Sequence, residues 1–220
     1  MDNVLLDTTY IVIDKPSSDH IKLLGINTNE ANETEVRLLP RRFADKWNTT
    51  FQIACGTLLG WYRGCDIIPS TQDFDLTAPS SQITSTFMEA LQSEFQVKHV
   101  FGHDNDSLEL TMLYHGIRTD LFFKYYHNST HDKIGLIAFP DLRKIVSYYP
   151  KVTSTCADDL LGVLVYVPCN VEEILEAEYG NYTEDISLGD YTYFTDSKNI
   201  ETRPKMTDEE FKKVERSSWP

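Results

Sequence analysis

Residues 55–76 read CGTLLGWYRGCDIIPSTQDFDL, and the end of this run sets Asp73 and Asp75 one residue apart in an apolar context. Residues i and i+2 of an extended chain point to one side, so a DFDL strand holds two carboxylates side by side, where they repel. The whole chain already carries a formal charge of -14, and a like-charged pair on one strand face calls for a cation between them. Just upstream, FQIAC (51–55) is short and apolar and leads into Gly56-Thr57. Leu58, Trp61 and Tyr62 then recur at helical spacing. This pattern predicts a strand, a tight turn and a short helix. Pro69 breaks the chain, and DFDLTAP is the next strand, ending at Pro79.

Further out, the chain reads as one α+β domain. Its 220 residues suffice for one full core, and 41% hydrophobic with 25% charged residues is the balance of an ordinary globular protein. The acidic surplus excludes nucleic acid as a partner, because phosphate backbones are held by clustered Lys and Arg. A small anionic substrate would need a metal. No run reaches the roughly 20 apolar residues of a membrane helix. The best candidate, Leu160 to Pro168, is of strand length. The N-terminal stretch lacks the basic and apolar regions of a signal, which reads as cytosolic. Against that, Asn32, Asn48, Asn105, Asn128 and Asn181, five of ten asparagines, head N-x-S/T sequons, an excess that points to a secretory lumen. Cys55, Cys65, Cys156 and Cys169 form no C-x-x-C pair, which argues against a zinc site; disulfides and buried free thiols both remain open.

The remaining elements follow from periodicity. TTYIVID (8–14) alternates as a strand, and 32–47 holds a short helix on either side of Pro40. Ser80 or Ser81 caps a helix over QITSTFMEALQSEF (82–95). QVKHVFG (96–102), SLELTMLYH (107–115) and GIRTDLFFKYY (116–126) are strands, and DDLLGVLVYVP (158–168) is a single buried strand. Asn170 caps VEEILEAEYG (171–180), which Gly180 stops. These limits divide the chain into an N-terminal strand and helix extension (1–50), a central unit (51–185) and an acidic polar tail (186–220).

Chemistry concentrates at few positions. Asp120 is a lone acid within a strand dense in aromatic and aliphatic residues, where an unpaired charge is costly. With Asp73 and Asp75 it makes a carboxylate set suited to Mg²⁺ or Mn²⁺. Gly56 and Thr57 at the helix start offer free backbone N–H groups to a phosphate. Arg63 either reaches a phosphate oxygen or pairs with a surface acid. Phe122, Phe123, Tyr125 and Tyr126 read as packing on both faces of a central strand, and His103 and His115 as loop residues. The order of elements, with a central mixed sheet flanked by helices, resembles the nucleotidyltransferase palm of the polymerase β superfamily.

More specifically, CGTLLGWYRGCDIIPSTQDFDL resembles the signature of the LicD/fukutin family and is nearest its fukutin branch in Trp61, Cys65 and Gln72. RTDLFF (118–123) and LGVLVYVPCNVEEILEAEYGNY (161–182) extend the likeness. Thr71-Gln72 replace the denser acidic string of many bacterial relatives. The resemblance implies a phosphotransferase that moves ribitol 5-phosphate or phosphocholine from CDP-ribitol or CDP-choline to a glycan or glycoprotein hydroxyl, releasing CMP. It implies Asp73, Asp75 and Asp120 as the metal-binding acids and Gly56, Thr57 and Arg63 as the donor-binding segment. It also implies a membrane-associated Golgi setting beside glycosyltransferases. A family-fold module that scaffolds such enzymes without turnover is the competing reading.

Overall fold

The computed structural model describes residues 49–69, 71, 73–114, 116–138, 141–161, 163–183 and 191–216. The strand expected at 8–14, the helix around Pro40, His115, and the sequons at Asn32 and Asn48 lie outside the described residues. The architecture is mixed α+β: one large curled sheet with helices packed on it.

Strand β1 (Gln52–Ile53) pairs antiparallel with β2 (Asp73–Pro79), and helix α1 (Cys55–Gly64) connects them. β2 lies parallel to β5 (Ile117–Tyr126), the centre of the sheet. On its other side β5 pairs antiparallel with β4 (Glu109–Tyr114), which pairs in turn with β3 (Gln96–Phe101). The parallel β2/β5 step is made possible by α2 (Ser85–Glu94), the crossover that returns the chain to the sheet. Here the expectation needs correction: Ser80–Gln82 is a 3-10 turn, and the cap of α2 is Thr84, whose hydroxyl accepts from the Phe87 amide at 3.2 Å.

The core forms where α2 covers one face of these strands. Phe87, Met88 and Leu91 are its buried stripe, at the i, i+1, i+4 spacing of an amphipathic helix. They meet Leu110, Met112, Leu121 and Phe123, the alternate residues of β4 and β5. Phe87 and Phe123 stand edge to face, with centroids 6.2 Å apart.

Two strands not anticipated from sequence, β6 (His131–Ala138) and β7 (Arg143–Pro150), extend the sheet from the far end of β5 and curl it over. The run 158–168 is likewise a hairpin and not one strand: β8 (Thr155–Leu160) and β9 (Val163–Pro168) pair antiparallel, and the reversal has Leu161 at φ 57°. A disulfide, Cys156–Cys169, closes this hairpin, while Cys55 and Cys65 are free thiols.

Helix α3 (Val171–Tyr179) packs on β7 and β9. Gly180 ends it at φ 71°, but Asn170 does not cap it through its side chain; its amide instead donates to Glu173 and to the Lys151 carbonyl. The segment expected as a polar tail carries, in its described part, α4 (Tyr193–Asp196), β10 (Ile200–Lys205), α5 (Asp208–Val214) and β11 (Glu215–Arg216). β10 pairs with β7 and β11 with β3, so this stretch completes both ends of the sheet. Among the described residues no helix is long and apolar enough to cross a membrane.

Candidate active site

The face of β2, β4 and β5 opposite α2 is acidic. In the parallel register Asp75 lies beside Asp120, and Asp73 beside Arg118. Paired residues of neighbouring strands point to one side, so the i, i+2 spacing of Asp73 and Asp75 delivers both onto the side occupied by Asp120. One carboxylate oxygen from each of Asp73, Asp75 and Asp120 lies within 4.8 Å of the others. Asp120 is 4% exposed, and Arg118 grips it with two bonds, from a terminal nitrogen to Oδ2 at 2.8 Å and from Nε to Oδ1 at 3.3 Å.

The electrostatics register this crowding. Burial pushes Asp75 well above the usual carboxylate range, and the charges of Asp73, Asp120 and Glu178 push it further. Asp73 is raised by burial and then by Asp120, with Arg118 pulling it back. Glu109, on β4, is pushed up to about 8 by burial and by Asp120, although the Ile137 amide donates to it at 3.3 Å. All these groups face a cavity of about 900 Å³ bounded by α1, the loop after it, and the inner faces of β7 and α3.

Helix α1 forms the opposite wall. Its start is held to the acidic strand at two points: the Asp75 carbonyl accepts from the Ala54 amide at 3.0 Å, and the Thr57 hydroxyl accepts from the Asp75 amide at 2.9 Å. Thr57 is therefore fully buried as a tie between helix and strand, outside the lining of the cavity. Gly56 does line it, and a Cβ there would stand 3.8 Å from the Asp75 carboxylate. The helix opens at Cys55 with φ 45°, without a capping side chain, so its first N–H groups lack intrahelical acceptors beside the acids. Arg63 lines the same cavity and donates from Nε to the Tyr182 carbonyl at 2.7 Å.

Besides Glu109, three further residues of this site were not singled out in the sequence. Arg118 sits two positions before Asp120 on the same strand face. Gly60 carries the approach of the loop: a Cβ there would lie 2.6 Å from the Asp66 carbonyl oxygen and 2.9 Å from the Ile68 amide nitrogen, both backbone atoms. Glu178 enters from α3, 5% exposed, and burial pushes it up to about 7 against the pull of Tyr149, Tyr179 and Cys55. Among the described residues its Oε2 has no hydrogen-bond partner.

With the geometry established, comparison with known proteins assigns the family. Residues 48–170 match the model of the LicD/FKTN/FKRP nucleotidyltransferase domain, over half of the chain. The chain belongs to this family. It is 35% identical over 170 residues to an uncharacterized protein of Caenorhabditis elegans, covering 72% of this chain and 44% of that protein. It is similar also to the ribitol-5-phosphate transferase FKTN of Homo sapiens, 34% identical over 166 residues, covering 71% of this chain and 35% of that protein. The chain thus spans less than half the length of these relatives.

Proposed function

We propose that this chain is a divalent-metal-dependent phosphotransferase. It moves an alcohol phosphate, ribitol 5-phosphate before phosphocholine, from a CDP-linked donor to a glycan or glycoprotein hydroxyl and releases CMP. The fold proposed is of the nucleotidyltransferase type, with 51–185 as the catalytic unit. The observation that carries this reading is the convergence of Asp73, Asp75 and Asp120 within 4.8 Å on the floor of a 900 Å³ cavity.

The residues fit a hard cation. Three carboxylates and no sulfur or imidazole form the set, and Asp73 and Asp75 are pushed up by burial first and then by the neighbouring carboxylates, a crowding that a cation would relieve. Asp73, Asp75 and Asp120 would hold Mg²⁺ or Mn²⁺, and the bound ion would supply charge neutralisation to the donor diphosphate.

The chain's own groups do the rest. Cys55 and Gly56 at the start of α1 line the same space, where the first amides of a helix suit a phosphate oxygen. Arg63, held by the Tyr182 carbonyl, presents a fixed cation to the donor. Arg118 keeps Asp120 oriented through its two bonds. Glu178 Oε2, at about 7, is a carboxyl able to take the acceptor hydroxyl's proton at neutral pH. No covalent enzyme intermediate is needed, because positioning and charge neutralisation lower the barrier of a phosphoryl transfer.

The ribitol-5-phosphate transferase named among the relatives supports the polyol donor. The disulfide and the sequons support a secretory lumen, with the Golgi and its glycosyltransferases as the setting. The test is CMP release from CDP-ribitol, CDP-glycerol and CDP-choline with Mg²⁺, together with thermal shift by CDP and Mg²⁺. Release from CDP-ribitol that Asp75→Ala removes is the expected result. No release from any donor and no shift at millimolar CDP would leave a non-catalytic partner module in its place.

A further inference from the structure

We propose that Asn128, at the tip of the hairpin joining β5 and β6, carries an N-linked glycan. The proposal rests on the secretory-lumen reading and is independent of phosphotransfer.

Three sequons, headed by Asn105, Asn128 and Asn181, fall on described residues, and all three asparagines are exposed. They differ in what surrounds them. At Asn105 the required hydroxyl belongs to Ser107, which is 3% exposed and wedged so closely that a Cβ at Gly135 would meet its own Cβ at 2.4 Å. At Asn181 the Thr183 hydroxyl donates to the Asn181 side-chain oxygen at 2.8 Å, but the next residue is Tyr182, whose carbonyl steadies Arg63 at the cavity. A glycan there would crowd the site.

Asn128 has neither defect. The Thr130 hydroxyl donates to Asn128 Oδ1 at 3.0 Å, and the same oxygen accepts from the amides of Thr130 and His131, each at 2.8 Å. The hydroxyl of the sequon is therefore already seated against the amide to be modified. Among the described residues Asn128 Nδ2, the atom that would receive the sugar, donates no hydrogen bond. Position favours it too: from Asp120 to Tyr126 the strand runs six residues, about 20 Å at roughly 3.4 Å each, so a glycan beyond Tyr126 leaves the cavity open. Tyr126, 68% exposed, is the large apolar side chain that such a glycan would shelter.

The chemistry takes a lipid-diphosphate-linked oligosaccharide as donor. The Asn128 Nδ2 forms a bond to the anomeric carbon, the anomeric carbon–oxygen bond to the diphosphate breaks, and Nδ2 gives up one proton. The compartment that supplies this donor is also the one in which a bond such as Cys156–Cys169, on an exposed hairpin, persists.

Translation of the full chain behind a cleavable secretion leader, in the presence of microsomal membranes, tests the site. Glycan addition is read as steps in gel mobility that an endoglycosidase removes. Asn128→Gln should lose one step, Thr130→Ala should lose the same step, and Thr130→Ser should restore it. Equal numbers of steps in the wild type and Asn128→Gln overturn the proposal. The state of Cys156–Cys169 in the same lumenal fraction separates the two readings. A chain that forms the bond yet lacks the Asn128 step sinks the glycan alone, and one that does neither sinks the lumenal reading with it.

Discussion

The two faces of β5 are opposite in character. Leu121 and Phe123 point toward α2 and are fully buried among aliphatic and aromatic neighbours. Asp120, immediately before Leu121 in sequence, is also buried but on the other face, beside Asp73, Asp75 and Glu109. One strand thus spends alternate residues on opposite ends: the first face lowers the free energy of the fold by removing apolar surface from water, and the second raises it by gathering carboxylates. The contrast supports the proposed reading of the acidic face as a site, with the apolar face as its support.

Mutations on the two faces should separate activity from stability. Asp75→Ala should cut CMP release by about ten-thousandfold or more, over ~5 kcal/mol of barrier, in an assay with CDP-ribitol and Mg²⁺. The melting temperature of the metal-free variant should not fall, since the change removes repulsion. Phe123→Ala should do the reverse, costing about 3–5 kcal/mol in urea denaturation through the cavity left under α2. If Asp75→Ala unfolds the chain instead, the division between face and support fails.

Gly60→Ala sharpens the boundary of the site. Its Cβ would meet backbone atoms of Asp66 and Ile68, so a loss of about 1–3 kcal/mol is expected. Gly64→Ala, with nothing within 4 Å of the added methyl, should instead gain up to about 1 kcal/mol of helix propensity. Similar effects at both glycines would show that the loop does not press on α1.

A last expected effect is in pH. Glu109 is raised on folding from its ordinary 4.5 to about 8, so between those values the folded state binds more protons than the unfolded one. Stability of the metal-free protein should therefore be greatest at the acidic end and decline as pH rises toward about 8. Thermal melts from pH 5 to pH 8 should show a shallower decline in Glu109→Gln. An identical slope would place Glu109 outside the acidic group.

Much of this contrast could be read in advance. Asp73 and Asp75 share a strand parity, and Asp120 interrupts an apolar strand, so each betrayed itself by local pattern; β2 was legible to the residue. Glu178 could not be picked out in the same way. It is one of four glutamates in α3, and only packing tells it from Glu172, Glu173 and Glu176. The available signal was its place four residues after Ile174, on the stripe that also holds Leu175 and Tyr179. The β8–β9 hairpin was hidden for a different reason. Its reversal lies inside a continuous apolar run, and Leu161 adopts a left-handed conformation that its side chain gives no reason to expect. β10 was hidden because it is an exposed edge strand whose composition is that of a loop.

The tie between Thr57 and the Asp75 amide gives the helix and the acidic strand a common anchor. A cation on the strand and a phosphate at the helix end would be separated by a distance that the polypeptide sets before either arrives. On the proposed reading the pair would work as a gauge: a donor whose charged groups match that spacing would fit without rearrangement, and one longer or shorter by an atom would have to strain its own bonds to reach both ends.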